Sequence, residues 1–311
     1  MKILFIDSNH PILHQTLEEA GYTCDLNYSW TKEEIENNIQ LYDGIVIRSR
    51  IKITKEIIDK AVKLRFIARA GAGMENIDVE YAESKGIHCL HAPEGNRDAV
   101  AEHAIGMLLS LFNNLNRANQ EVREGKWIRE GNRGVELMGK TVGIIGYGNM
   151  GSAFAERLKG FGVKVLVYDK YKKNFGNASI IETTLEQLFR EADVISLHTP
   201  LTEETQDLIN DAFIHKFQKN IYIINTARGK SLNTADLAKN MQSGKVLGAC
   251  LDVLEYEVVS FENIDATKLP EAFQYLAQSE KVILSPHIAG WTHESNEKIA
   301  RILAEKIKVV I

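Results

Sequence analysis

The chain of 311 residues is 44% hydrophobic and 25% charged, with a formal net charge of −5. This composition is typical of a globular protein with room for two domains, and it argues against a broadly basic surface that binds nucleic acid. The three widely spaced cysteines form no CxxC pair and indicate reduced thiols. Because no segment resembles a signal peptide or a membrane-spanning helix, we expect a cytoplasmic protein.

Short apolar segments typical of strands alternate with segments of helical periodicity along the N-terminal third of the chain. The predicted strands cover residues 2–7, 23–27, 44–48, 66–69 and 87–91. The predicted helices include residues 12–20 and 54–62. This alternation predicts an α/β fold, in which helices cover both faces of a parallel sheet.

A single long helix is predicted next, over residues 97–117. Its apolar side chains cover more than one face, so we expect the helix to be buried on both sides. The pattern leaves two interpretations open, a helix packed between two domains or a helix at a subunit interface.

A second alternating series starts at Lys140. Its predicted strands cover residues 141–145, 164–169, 194–198, 222–225, 246–251 and 282–285. A final amphipathic helix is predicted over residues 294–310. The two series together predict two doubly wound parallel-sheet domains.

A glycine-rich segment leaves the first strand of the second series and opens a helix predicted over residues 152–160. The segment consists of Gly146, Tyr147, Gly148, Asn149, Met150 and Gly151. The first glycine permits a tight turn, the second lets the backbone approach a pyrophosphate, and the third lets the helix pack against the strand. Asp169, at the end of the next strand, is placed to accept hydrogen bonds from ribose hydroxyls. The pattern predicts a dinucleotide site that favours NAD over NADP.

Three polar residues follow later strands of this series, namely Arg228, Glu257 and His287. Ligands of open α/β sheets bind at the carboxyl ends of the strands, so these residues are candidates for catalysis. The segments RAGAG, GIIGYGNMG, NTARG, LDVxxxE and SPHIAG occur in this order. In that order they resemble the D-isomer-specific 2-hydroxyacid dehydrogenases, and the resemblance covers nearly the whole chain.

The resemblance implies hydride transfer between a 2-hydroxy acid and NAD. It implies that His287 moves the hydroxyl proton, that Glu257 orients the His287 ring, and that Arg228 binds and polarises the acid. It also implies cofactor contacts at His198, Thr199, Pro200, Thr226, Ala227 and Asp252. Because one acid–base residue suffices, we expect His198 to line the cofactor site and not to move the proton.

The sequence departs from the family pattern after the glutamate. Val258 stands where the family often has proline, and a long variable segment runs from there to residue 281. This departure affects the expected shape of the loop and not the expected chemistry.

The N-terminal series resembles the substrate domain of the family. Arg69, Gly71, Ala72 and Gly73 match a loop whose backbone N–H groups bind the substrate carboxylate. The resemblance implies that residues 1–97 with 292–311 form the substrate domain and that residues 98–291 form the dinucleotide-binding domain.

Further arginines indicate a second anion on the substrate. Arg48 and Arg69 match phosphate-binding positions of the D-3-phosphoglycerate dehydrogenases of this family. Arg129 matches a phosphate contact that reaches in from the partner subunit, which implies a homodimer. The alternative is that Arg48 and Arg50 are solvated charges at the end of a strand.

The implied reaction is oxidation of D-3-phosphoglycerate to 3-phosphohydroxypyruvate, which leads into serine biosynthesis. We expect no C-terminal regulatory domain like that of the longer forms. Two alternatives stay open: a glyoxylate or hydroxypyruvate reductase or other D-2-hydroxyacid dehydrogenase of the same family, and an NAD(H)-responsive binding protein. No metal site is expected, because the histidine pairs 10/14 and 88/91 lack acidic or thiolate companions and are expected to be solvated.

Overall fold

The computed structural model describes residues 1–257 and 269–310, and it divides into two compact units. Unit 1 combines Met1–Arg97 with Trp291–Ile311, and unit 2 contains Asp98–Gly290. All pairings between the strands named below are parallel, which confirms the predicted α/β fold. None of the helices in the described part of the chain has the length and apolar character that a membrane span requires.

The bounds of the elements follow the predictions to within a few residues at most ends. The strands are β1 (Lys2–Phe5), β2 (Thr23–Leu26), β3 (Gly44–Ile47), β4 (Phe66–Arg69), β5 (His88–His91), β6 (Thr141–Ile145), β7 (Lys164–Tyr168), β8 (Ile181–Glu182), β9 (Val194–Leu197), β10 (Ile221–Asn225), β11 (Val246–Leu251) and β12 (Val282–Leu284). The helices are α1 (Ile12–Glu19), α2 (Lys32–Asn38), α3 (Lys55–Lys60), α4 (Val79–Ser84), α5 (Arg97–Phe112), α6 (Leu115–Arg123), α7 (Asn149–Arg157), α8 (Leu185–Glu191), α9 (Asp211–Ile214), α10 (Thr234–Gln242), α11 (Glu271–Gln278) and α12 (His293–Val310).

The five strands of unit 1 form a sheet with the order β2-β1-β3-β4-β5, which is the flavodoxin-like doubly wound order. Successive residues of a strand point to opposite faces, and both faces of this sheet are buried. Leu4 packs in one apolar cluster, whereas its neighbours Ile3 and Phe5 pack in the other. Helix α12 joins the second cluster through Leu303 and Ile307. The end of the chain therefore completes the core of the unit that the beginning of the chain builds.

The seven strands of unit 2 have the order β12-β11-β10-β9-β6-β7-β8. The six strands β6 to β11 reproduce the Rossmann order 3-2-1-4-5-6, read from the β8 edge, and β12 extends the sheet at the other edge. The chain reverses its direction of travel between β6 and β9, and ligands bind outside the carboxyl ends of the strands at such a reversal. Strand β8 was not predicted, because two residues are too few to show a pattern.

The helix predicted over residues 97–117 is in fact two helices. Helix α5 ends at Phe112 and α6 begins at Leu115, because Asn114 has a left-handed backbone with a φ of 51°. Asparagine adopts this conformation more readily than most other residues that carry a Cβ. Helix α5 contributes buried side chains such as Ile105 and Leu108 to the core of unit 2, whereas α6 buries none.

Candidate active site

The carboxyl edge of the unit 2 sheet carries most of the residues that the sequence singled out. Gly146 follows β6, Asp169 follows β7, His198 follows β9, Thr226 follows β10 and Asp252 follows β11. These five strands are neighbours in a parallel sheet, so their carboxyl ends lie side by side. The structure therefore brings the predicted cofactor residues together along one edge.

The glycine turn after β6 is closely packed at its ends and open in its middle. Gly146 has a φ of 96°, and a Cβ there would lie 2.7 Å from the backbone oxygen of His198. A Cβ on Gly151 would lie 2.0 Å from the backbone oxygen of Gly146. A Cβ on Gly148 would meet no atom of the described residues within 4 Å. The open middle is where a pyrophosphate can approach the backbone.

Helix α7 begins at Asn149, so the predicted start at residue 152 was wrong. Gly148 is the N-cap and supplies no side-chain hydrogen bond, and Asn149, Met150 and Gly151 are already helical. The prediction placed the start directly after the last glycine of the segment, whereas Gly151 lies within the first turn of the helix. The consequence is that the N–H groups of the first turn adjoin the open space at Gly148, as an anion site at a helix start requires.

Asp169 is held by the backbone on both sides of it. Its Oδ2 accepts the Tyr147 N–H at 2.7 Å, and its Oδ1 accepts the N–H groups of Tyr171 at 2.9 Å and Lys172 at 2.8 Å. Burial raises the pKa of the Asp169 carboxyl, but these hydrogen bonds outweigh burial and hold the pKa below its usual range. The group is therefore a fixed carboxylate at neutral pH, suited to accept ribose hydroxyls and unfavourable for a 2′-phosphate.

Three buried polar atoms in the segments that follow β9 and β10 have no hydrogen-bond partner among the described residues. They are Nδ1 of His198, Oγ1 of Thr199 and Oγ1 of Thr226. A buried polar atom without a partner costs about 1–3 kcal/mol, so a group of them in one place indicates a ligand. Together with the open glycine turn, they show that the residues present fit a bound dinucleotide.

His198 is unsuited to acid–base chemistry. Its Nε2 lies 2.8 Å from the Ser196 hydroxyl, and its ring packs against that of Phe154. Burial lowers the pKa of the His198 imidazole to about 3, so the ring stays neutral at physiological pH. This agrees with the expectation that His198 lines the cofactor site and does not move the proton.

His287 and Glu257 form a hydrogen-bonded pair at this edge. Nδ1 of His287 lies 2.9 Å from Oε2 of Glu257, and the other carboxylate oxygen of Glu257 accepts the Leu254 N–H at 2.5 Å. A carboxylate on Nδ1 selects the tautomer that carries its proton there and leaves Nε2 to accept a proton. The structure therefore brings these two residues together, although 30 positions separate them in the chain.

Arg228 follows β10 in a turn that Asn225 holds. The buried Asn225 side chain accepts the Ala227 N–H at 3.1 Å and donates to the Arg228 backbone oxygen at 2.9 Å. Arg228 and His287 follow β10 and β12, with only β11 between them. Neighbouring strands lie about 4.8 Å apart, so the carboxyl ends of β10 and β12 are separated by roughly two strand spacings. Nη1 of Arg228 donates to the Ala227 backbone oxygen at 2.6 Å.

Arg48 lies at the carboxyl end of β3 in unit 1. Its guanidinium carbon lies 4.4 Å from the ring centroid of Trp291. Its Nη1 makes one long hydrogen bond of 3.5 Å to the Ser8 backbone oxygen. Its own backbone N–H donates to Oδ2 of Asp7 at 2.5 Å, which fixes the start of the side chain.

Arg50 differs from Arg48 in that its guanidinium makes several hydrogen bonds within unit 1. It donates to the backbone oxygens of Ile6 and Trp30 and to Oδ1 of Asp7. The residue is exposed, as the alternative of solvated strand-end charges expects, but its guanidinium is also held by these acceptors. A guanidinium held by three acceptors acts as a structural cross-link.

The predicted carboxylate loop follows β4. The Arg69 guanidinium lies over Gly71, where a Cβ would come within 1.6 Å of Nη1. His91 at the end of β5 contacts the Ala72 backbone oxygen through Nδ1 at 2.6 Å. The expectation that His91 is solvated was therefore wrong, because the ring holds this loop. No group of three or more side chains that could hold a metal occurs in the parts of the chain that the structure describes.

Two predictions concern segments that the structure exposes or does not describe. Arg129 lies in the exposed segment after α6, beside Trp127, which is 79% exposed. The departure at Val258 and the start of the variable segment after it fall outside the described residues.

Residues 105–289 match the family model described as the NAD-binding domain of D-isomer-specific 2-hydroxyacid dehydrogenases. The chain belongs to the D-isomer-specific 2-hydroxyacid dehydrogenase family. The dehydrogenase is thus an NAD-dependent oxidoreductase whose substrate is a small 2-hydroxy or 2-oxo acid. The matched residues include every strand of unit 2.

Two curated relatives carry different substrate names. The hydroxypyruvate reductase of Thermotoga maritima is 39% identical, with 89% of this chain and 87% of that protein covered. The D-3-phosphoglycerate dehydrogenase of Methanocaldococcus jannaschii is 36% identical, with 100% of this chain and 57% of that protein covered. The dehydrogenase therefore spans most of the first relative and just over half of the second.

A solved structure agrees in fold. The D-lactate dehydrogenase of Aquifex aeolicus, complexed with NAD and lactic acid, has a TM-score of 0.83 at 31% identity. The match covers 99% of this chain and 95% of that chain. It confirms that both units of the dehydrogenase have the predicted doubly wound fold.

Sequence reasoning gave no role to Asn225, Ser285 or His103 of the dehydrogenase. Asn225 and Ser285 open the segments NTARG and SPHIAG, so their position in these segments was a signal that could have found them. His103 interrupts the apolar surface of α5, and its partner Ser285 is 182 residues away in the chain. No local pattern reveals a contact over that separation.

Proposed function

We propose that the dehydrogenase oxidises D-3-phosphoglycerate to 3-phosphohydroxypyruvate, the reaction that leads into serine biosynthesis. The observation that carries this proposal is the Arg48 guanidinium, which is ordered by Trp291 and weakly engaged by the rest of unit 1. Bound NAD supplies the hydride acceptor in this reaction.

Arg48 has the properties of an anion-binding side chain. A guanidinium stacked on an aromatic ring keeps its N–H groups in one plane at its rim, where phosphate oxygens can accept them in pairs. Burial lowers the pKa of Arg48, partly offset by the charge of Asp7, and the group stays cationic because its pKa is very high to begin with. A partly desolvated cation with one long hydrogen bond is stabilised when an anion binds it.

The substrate carboxylate is already bound elsewhere, so Arg48 and Arg69 indicate a second anionic group on the substrate. We assign the substrate carboxylate to the loop that contains Gly71, Ala72 and Gly73, as the resemblance implies. A lactate-like acid has no further charge for Arg48 and Arg69 to bind. A 3-phosphate supplies one, and guanidinium groups suit phosphate geometry.

His287 is the proposed acid–base residue. Its Nε2 accepts the proton of the 2-hydroxyl group during oxidation and returns it during reduction. Glu257 keeps Nδ1 protonated, orients the ring and stabilises the imidazolium that forms. Arg228 polarises the C2 oxygen as it becomes a carbonyl.

The second candidate function is reduction of hydroxypyruvate. It is favoured by the Thermotoga maritima relative, which has the higher identity of the two and is covered over 87% of its length. This activity uses the same His287, Glu257 and Arg228 but gives Arg48 no phosphate to bind. The two candidates therefore differ in what they require of unit 1.

We also propose that the dehydrogenase is a homodimer. The segment after α6 presents Trp127, Ile128 and Met138 to solvent, and Met138 is 71% exposed. Exposed apolar side chains in one segment are typical of a protein–protein interface. Arg129 lies within that segment, as expected of a residue that reaches a partner's substrate. Light scattering should give twice the chain mass of 35.0 kDa, and a monomer would overturn this assignment.

Steady-state rates on matched pairs of acids test the proposed reaction. NADH formation from D-3-phosphoglycerate is compared with NADH formation from D-glycerate, and NADH consumption with 3-phosphohydroxypyruvate is compared with hydroxypyruvate and glyoxylate. We expect kcat/KM to be higher for the phosphorylated member by about a hundredfold, since charge-assisted hydrogen bonds contribute about 1.5–3 kcal/mol each. Equal values, or a preference for hydroxypyruvate, would favour the second candidate.

A further inference from the structure

One buried carboxylate holds the loop that carries His287. Oδ1 of Asp252 accepts the Ile288 N–H at 2.9 Å and the Ser285 hydroxyl at 2.5 Å, and Oδ2 accepts the Ala289 N–H at 2.8 Å. The backbone oxygen of Asp252 accepts the His287 N–H at 2.7 Å. Asp252 is 1% exposed, so water cannot readily replace these hydrogen bonds.

The backbone of His287 needs this support. Its φ is 56°, a left-handed conformation that costs a residue with a Cβ about 1–3 kcal/mol and persists only where its surroundings impose it. The N–H groups that follow it, on Ile288 and Ala289, point together at one carboxylate, as in other backbone sites for anions. Asp252 thus fixes the direction in which the His287 side chain leaves the loop.

His103 and Ser285 extend this hydrogen-bond network to α5. Nε2 of His103 lies 2.9 Å from Oγ of Ser285 and 3.5 Å from Oδ1 of Asp252. The Ser285 hydroxyl has one proton, which it donates to Asp252, so its oxygen accepts from the His103 ring. The direction of these hydrogen bonds is unlike that of a hydrolase nucleophile, whose hydroxyl donates to histidine.

We propose that His103 and Ser285 are positioning residues for hydride transfer: through Asp252 they fix the orientation of the His287 ring towards Glu257. This inference rests on the proposed acid–base role of His287. The hydrogen bond from His103 orients the Ser285 hydroxyl towards Asp252, and chains of such bonds strengthen one another where water is excluded. Without His103, the hydroxyl can rotate and the strained loop loses part of what imposes its conformation.

Variants of His103 separate positioning from simple destabilisation. We expect His103→Ala to lower kcat about tenfold, the lower range for residues that orient a functional side chain, with the NADH dissociation constant within about twofold of wild type. His103→Gln retains an N–H donor and should recover most of kcat. His215→Gln changes an exposed histidine at the C-cap of α9 and serves as the control with wild-type kcat.

The comparison in a His287→Ala background decides the question. If His103 acts through His287, adding His103→Ala to His287→Ala produces no further loss of kcat. A tenfold loss in both backgrounds would overturn the positioning role while leaving the acid–base role of His287 intact. Near-normal kcat in His287→Ala alone would overturn both. Circular dichroism melting checks that His103→Ala is folded. If His103→Ala is unfolded, Ser285→Ala is compared instead in the wild-type and His287→Ala backgrounds.

Discussion

The carboxyl edges of the two sheets hold their functional side chains in different ways. In unit 2, His287 is fixed by Glu257 at its ring and by Asp252 at its backbone. In unit 1, Arg48 is ordered mainly by stacking on Trp291 and makes one long hydrogen bond. Proton and hydride transfer require the reacting atoms to be held at fixed positions. Binding an anionic substituent instead requires a cationic side chain whose N–H groups can still donate hydrogen bonds to it. From this difference we propose that unit 2 determines the rate and unit 1 the choice of substrate.

Removal of the acid–base residue should give the largest effect of any substitution. General acid–base catalysis contributes about 10²–10⁴-fold, so we expect His287→Ala to lower kcat by about a thousandfold. Glu257→Gln should lower kcat by less, because the ring remains and loses only its charged partner. NADH fluorescence titration should show that both variants bind the cofactor. A kcat within threefold of wild type for His287→Ala would contradict the proposal that unit 2 determines the rate.

The loss of stability at low pH should show whether His198 is shielded from water at the carboxyl edge of unit 2. Burial lowers the pKa of His198 from 6.5 to about 3, so the unfolded chain takes up this proton at a higher pH than the folded chain. Stability is therefore lost as the pH falls through this window, by about 1.4 kcal/mol per pH unit. Urea unfolding of wild type and His198→Asn should differ in its change between pH 7 and pH 4.5 by about 2–3 kcal/mol. Parallel pH dependences would show that His198 is hydrated.

Removal of the Trp291 ring that contacts Arg48 should have the smallest effect on the kinetics. A cation–π contact at an exposed site contributes about 0.5–1 kcal/mol, which corresponds to a twofold to fivefold change. We expect Trp291→Ala to raise KM for D-3-phosphoglycerate by that factor and to leave kcat unchanged. Trp291→Phe keeps an aromatic ring, so its KM should lie between those of wild type and Trp291→Ala. A fall in kcat with unchanged KM would place Trp291 with the reacting groups instead.

The fold and the cofactor edge could be predicted from the sequence because their signals are local. Short apolar segments such as those at Leu4 and Val142 are what strands buried on both faces require. The glycine turn is defined by spacing, and Gly146 and Gly151 occupy positions where a side chain would collide with backbone. His287 and Glu257 were found through their segments, and the structure adds the 2.9 Å contact between them.

The remaining features depend on contacts between distant segments, which periodicity does not record. The break at Asn114 follows from a single left-handed residue within a continuous apolar pattern. Nothing in the sequence distinguishes Arg50 from Arg48. The difference appears only in the structure, where Arg50 donates to the backbone oxygens of Ile6 and Trp30. The contact of His103 with Ser285 joins α5 to the loop after β12 and has no local signature.

The most direct test of the account is substrate discrimination by Arg48→Gln, with Arg65→Gln, at an exposed position directly before β4, as the matched control. The measurement is the ratio of kcat/KM for D-3-phosphoglycerate to that for D-glycerate. The account predicts that Arg48→Gln lowers this ratio by about tenfold to a hundredfold, while kcat on D-glycerate and the control variant stay at wild-type values. Equal losses on both acids would contradict it, because Arg48 would then serve the reaction and not the choice of substrate.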